Sequence, residues 1–156
     1  MQIIGYGIEI VETSCIKEHV EQSGEHFERQ HFTALERNVF ESGVRRIHYL
    51  AGRFAVKKAL LNALGMVWKE TSWLDIEVQR FPNGEPSIML RAKCKEIASN
   101  LGITRWMLSI SHTSSYAVAN TIALGLRPEY LEYPRPHPTC TIPLLSREKE
   151  RENGHP

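Results

Sequence analysis

The chain has 156 residues, enough for one domain with its own core. Apolar residues make up 42% and charged residues 24%, and 19 basic side chains stand against 18 acidic ones, for a formal net charge of +1. That balance excludes a polybasic nucleic-acid binder; no apolar run approaches the length of a membrane span, and Met1–Gly5 lacks the basic, apolar pattern of a signal peptide. Cys15, Cys94 and Cys140 are odd in number and far apart, which argues against a disulfide framework and a thiolate zinc site. The composition is that of a soluble, cytoplasmic protein.

Residues 3–11 alternate as a strand, with Ile4, Tyr6, Ile8 and Ile10 on one face and Gly5, Gly7, Glu9 and Val11 on the other. Glu9 is thus a carboxylate inside an apolar strand. Helices are predicted over 13–22 and 25–31. Thr33-Ala34-Leu35-Glu36 is a capping box that starts another helix at Thr33.

The strongest helical pattern runs from about Arg45 to Leu64. Ile47, Leu50, Ala51, Phe54 and Ala55 form one apolar stripe, and Lys58 falls on it. Arg46, Arg53 and Lys57 share a neighbouring face, and Gly65 closes the helix as a C-cap. Residues 73–81 and 87–90 read as two strands around the turn Pro82–Pro86. A helix over 91–101 follows, ended by Gly102. Residues 106–111 and 116–124 are a second strand pair, joined by the turn His112–Ser115. Hairpins rather than regular crossovers predict an α+β fold, with one long helix against a small, mostly antiparallel sheet. Six of the eight prolines lie after Gly125, so residues 1–125 are the expected domain and 126–156 an extended, Pro-rich arm. Tyr130, Leu131 and Tyr133 are its candidate docking patch.

Three features carry possible chemistry, and each has a plain structural reading. Glu9 is either a site acid or an edge residue facing solvent. Arg46, Arg53, Lys57 and Lys58 form either an anion-binding helix face or a solvated one. His112 is either a site residue or a turn residue at the end of a strand.

Several segments together resemble the holo-acyl-carrier-protein synthases. They are Gly5-Tyr6-Gly7-Ile8-Glu9-Ile10-Val11-Glu12, Phe32-Thr33 with Glu36, and Leu50 to Ala59. Asp75-Ile76-Glu77-Val78, Asn83-Gly84-Glu85-Pro86 and Ser109-Ile110-Ser111-His112-Thr113 complete the set. The resemblance covers residues 1 to about 124. It implies a 4′-phosphopantetheinyl transferase-like fold and homotrimers with a site at each subunit interface. It also implies transfer of 4′-phosphopantetheine from coenzyme A to a serine of an apo acyl carrier protein. In such enzymes an aspartate of the first strand and a glutamate of the long helix hold Mg²⁺ on the pyrophosphate. The aligned positions here are Glu9 and Lys58, the candidate catalytic pair, with Glu9 the remaining metal ligand. The candidate coenzyme A contacts are Arg46, Arg53, Lys57, Asn62, Gly65 and His112, with Asn62 where the family has a lysine.

Two further departures stand out. The family's Gly-Thr-Gly after the helix is Gly65-Met66-Val67. The first-helix region carries Glu12, Glu18, Glu21, Glu25 and Glu28 against Lys17 and Arg29, a surface that opposes an acidic carrier. Two carboxylates plus Mg²⁺ sum to zero charge, and so does Glu9 plus Lys58. The sequence therefore predicts that Lys58 stands within ion-pair reach of Glu9 and serves as the counter-charge. Two functions stay open: the transferase, and a non-catalytic or altered relative that binds coenzyme A, a nucleotide or a protein without Mg²⁺.

Overall fold

The computed structural model describes residues 1–66 and 71–128. It is an α+β fold. Strand β1 (Gln2–Glu12) leads into helix α1 (Thr13–Ser23), then α2 (Glu25–His31), the single turn α3 (Ala34–Arg37) and the long α4 (Gly43–Leu64). A 3₁₀ turn (Trp73–Asp75) precedes β2 (Ile76–Arg80) and β3 (Pro86–Leu90). Helix α5 (Ala92–Asn100), β4 (Ile103–His112) and β5 (Tyr116–Gly125) follow. No helix among the described residues is long and apolar enough to cross a membrane.

Strands β1, β5 and β4 form one antiparallel sheet in that order, and β2 and β3 form a separate hairpin. Helix α4 lies across the sheet on a ridge of small residues, Ala51, Ala55, Ala59 and Ala63, spaced four apart on one face. Ala117, Ala119 and Ala123 of β5 meet that side, all fully buried. The facing residues of β1 are Gly5 and Gly7. A Cβ on Gly7 would sit 1.9 Å from the Ala59 carbonyl oxygen, and one on Gly5 would sit 2.1 Å from that of Ala63. Strand and helix backbones therefore touch directly, which only glycine permits.

The same alternation puts Tyr6, Ile8 and Ile10 on the outer face of the sheet, where they are 62%, 59% and 60% exposed. Met107, Val118 and Ile122 join them across β4 and β5.

The other side of α4 is buried as well. Phe27, Phe32 and Phe54 cluster there with His31 and Trp73. Leu60, Leu61 and Leu64 form a second cluster with Ile76, Cys94 and Ala98. Burial holds the His31 imidazole below its usual value, and the nearby Lys57 charge adds to that despite the opposing bond to the Phe27 carbonyl.

The capping box forms as read: Thr33 N–H donates to Glu36 Oε2 at 2.8 Å, and Glu36 N–H to Thr33 Oγ1 at 3.3 Å. Gly65 ends α4 in the left-handed region, at φ 67°. Two boundaries differ from the sequence reading by three residues. Ser72 accepts from Leu74 N–H and winds Trp73–Asp75 into a turn, so β2 starts at Ile76. Strand β4 starts three residues early, at Ile103, because β5 continues to Gly125 and pairs with it. Leu126 N–H still bonds the Gly102 carbonyl. Val67 and the patch Tyr130, Leu131 and Tyr133 lie outside the described residues.

Replacing Gly7 with alanine should lower unfolding stability by about 3 kcal/mol, the upper range for forcing an atom into a packed contact. Urea denaturation of the variant beside the wild type checks this; a loss below about 1 kcal/mol contradicts the close approach.

Candidate active site

Because Glu9 shares the Gly5–Gly7 face of β1, its side chain points at α4. Its Oε1 lies 2.6 Å from Lys58 Nζ, and Asn62 Nδ2 donates to Oε2 at 3.1 Å. Lys58 and Asn62 are one helical turn apart, so a single carboxylate spans both. The pair is partly open, with the Lys58 side chain 38% and the Glu9 side chain 21% exposed. The ion pair expected from the sequence is therefore present.

A second cluster sits at the opposite edge of the sheet. A cavity of about 520 Å³ is lined by Arg45, His48, Tyr49 and Arg53 of α4, Arg80 at the end of β2, and His112 of β4. Arg53 is nearly buried, and its guanidinium lies 3.4 Å from the Tyr49 ring centroid. Among the described residues its Nε has no hydrogen-bond partner. Burial pulls Arg53 below the ordinary arginine range, against the pull of Tyr49 and Glu36. The His48 and His112 rings lie 5.3 Å apart. Glu41 also lines the cavity, 3.7 Å from Arg45 Nε, but three arginines against one carboxylate leave a net positive lining that suits a phosphate ligand. Arg45, His48 and Arg80 were absent from the sequence-based set. Nothing in their local sequence marks them, since β2 and α4 meet only in the folded chain.

Three expected contacts are displaced from these clusters. Lys57 is fully buried, and its ammonium spends all three protons inside the protein. They go to Glu36 Oε2 at 2.8 Å, the His31 carbonyl at 2.6 Å and the Trp73 carbonyl at 3.0 Å. Burial pulls Lys57 down and Glu36 pulls it back up, with the net direction down. Glu36 also accepts from Val78 N–H at 2.9 Å. Lys57 therefore joins α3, α4 and β2 and cannot reach a ligand. Arg46 is held by Glu28, with Nε 3.0 Å from Oε1, and lines a different cavity between α1 and the start of α4. The Gly65 N–H is used inside the protein, on the Asn62 carbonyl at 3.0 Å.

The basic helix surface is thus not a surface, because α4 is covered on two sides and a one-stripe reading sees only one. The buried lysine is Lys57, and Lys58 lies at the rim. The acidic surface is also weaker than its residue count suggests. Glu21 pairs with Lys17, Glu25 with Arg29 and Glu28 with Arg46, which leaves Glu12 and Glu18 without ion pairs among the described residues.

Known proteins match both sequence and shape, although no family model matches. The holo-[acyl-carrier-protein] synthase of Koribacter versatilis is 36% identical over 121 residues, which are 77% of this chain and 97% of that protein. The chain belongs to the holo-acyl-carrier-protein synthase family. The Bacillus anthracis synthase, solved in complex with CoA (3′,5′-ADP), superposes with a TM-score of 0.65 at 33% identity, covering 79% of this chain and 97% of that one. The Helicobacter pylori synthase in complex with coenzyme A superposes at 0.67 with 29% identity, covering 76% and 99%.

The two adjacent lysines should respond differently to truncation. Lys57→Met leaves Glu36 charged and buried and should cost about 3 to 5 kcal/mol of stability. Lys58→Met breaks a partly solvated pair and should cost about 1 kcal/mol or less. Denaturant titration of the two variants decides this; similar losses would contradict the assigned burial.

Proposed function

We propose that this protein is a holo-acyl-carrier-protein synthase, moving 4′-phosphopantetheine from coenzyme A to a serine of a carrier protein in the cytoplasm. The observation that carries this reading is a fold matched over 76–79% of the chain by synthases solved in complex with coenzyme A, and the charged pair Glu9–Lys58 on β1 and α4, where the sequence resemblance puts the reacting position, supports it. The non-catalytic alternative has no comparable observation in its favour.

In the reaction the serine Oγ attacks the phosphorus that bears pantetheine. A new Oγ–P bond forms, and the bond from that phosphorus to the bridging oxygen breaks. The bridging oxygen keeps the electron pair and leaves on adenosine 3′,5′-bisphosphate, while the serine proton passes to solvent. Such a transfer needs alignment and charge neutralisation more than covalent help. Arg53, Arg80 and Arg45 supply cationic donors for the adenosine-side phosphates, His112 adds a ring nitrogen, and Lys58 supplies a cationic donor for the pyrophosphate.

The two clusters stand at opposite edges of one sheet, with β5 between them. One copy of the chain therefore holds half a site at each edge. The exposed apolar face of Tyr6, Ile8, Ile10 and Met107 is what a monomer would not leave bare. A homotrimer packed through that face joins the Glu9–Lys58 edge of one copy to the Arg53–His112 edge of the next.

Intact-mass analysis of apo carrier proteins incubated with coenzyme A and this protein should show one added phosphopantetheine group. No mass gain on any carrier would overturn the reading. Glu9→Ala and Arg53→Met chains should each be inactive alone, and assembling them together should restore about a quarter of the activity, the share of junctions with both halves intact. Absence of recovery would argue that each site is built within one chain.

A further inference from the structure

The Mg²⁺ centre implied by the family does not fit the residues of this chain. Glu9 is the single carboxylate at the position, and both of its oxygens already accept from nitrogen donors, Lys58 Nζ at 2.6 Å and Asn62 Nδ2 at 3.1 Å. Among the described residues no three His, Cys, Asp or Glu side chains group closely enough to hold a metal ion. A divalent cation approaching Glu9 would first meet an ammonium. Adding it would take the cluster from neutral to two positive charges, where the two-carboxylate arrangement ends neutral.

We propose that the Lys58 ammonium is a resident counter-charge that replaces the divalent cation, so that this site binds the diphosphate of coenzyme A without metal. The inference rests on the transferase reading above. An ammonium has three N–H donors, and the Glu9 contact uses one. The other two are available to phosphate oxygens on the partly exposed side of the pair. A lysine alone on a helix would roam among rotamers. Here Glu9, fixed on a strand that touches the helix backbone, holds the ammonium in place before the ligand arrives. Asn62 holds the second oxygen of Glu9 and so fixes the carboxylate in turn. Glu9 and Asn62 are positioning residues, and Lys58 is the group that meets the substrate.

The test is calorimetry of the purified full chain with coenzyme A, in EDTA and in Mg²⁺, with Mn²⁺ binding followed by electron paramagnetic resonance. The wild-type affinity for coenzyme A should agree within about twofold in the two conditions, with no Mn²⁺ bound, because the lysine already supplies the charge. Lys58→Met should weaken coenzyme A by about tenfold or more in both. Lys58→Glu should bind it weakly in EDTA, regain about tenfold with Mg²⁺, and acquire a Mn²⁺ site. Circular dichroism checks that each variant is folded, and the wild-type comparison decides the matter without them. Wild-type binding that tightens tenfold with Mg²⁺, or a Mn²⁺ site in the wild type, overturns the inference and leaves the transferase standing. Coenzyme A binding in neither condition overturns the transferase reading and the inference with it.

Discussion

Direct contact between the backbones of β1 and α4 is the constraint from which the site follows. Gly5 and Gly7 on the strand and the alanine ridge on the helix leave no side chain between the two elements. The next residue on the same face of the strand is Glu9. At that short separation a glutamate reaches the helix turn that carries Lys58 and Asn62, and its two oxygens meet both. Had β1 been held a side chain's width further away, the same three residues would have faced water.

Lys57 and Lys58 show how one helical step divides structure from chemistry. Successive residues on a helix point about 100° apart. Lys57 turns into the core and is neutralised there by Glu36. Lys58 turns to the rim and meets a carboxylate that a ligand can also approach. Three proton acceptors close around the Lys57 ammonium, and Glu36 is itself fixed by its capping box and by Val78. Such complete satisfaction is what makes a buried ion pair tolerable. It also ties α4 to α3 and β2, which places Arg80 beside Arg53 at the far edge of the sheet.

Much of this was legible in the sequence. The strand alternation, the capping box and the C-cap glycine are local rules, and each holds. The Glu9–Lys58 contact was legible through family resemblance and charge balance. What local rules missed was long-range. Lys57 reads as one of several basic residues on a helix because its partners, His31, Glu36 and Trp73, come from three other segments. Arg46 reads as a phosphate ligand until α2 brings Glu28 to it. Periodicity also assigned one buried stripe to α4, whereas a helix wrapped by a sheet on one side and by helices on the other buries residues that break the stripe. Alternation separates the two faces of β1 without saying which one packs; the glycine face does, because only glycine admits the helix.

A synthase that carries a lysine in place of its metal should charge its carrier without a divalent cation. The measurement that tests it most directly is the initial rate at which an apo carrier protein is charged from coenzyme A in EDTA, compared with the rate after Mg²⁺ is added in excess. The account predicts charging in EDTA and no acceleration by Mg²⁺. Charging that starts only when Mg²⁺ arrives would contradict it.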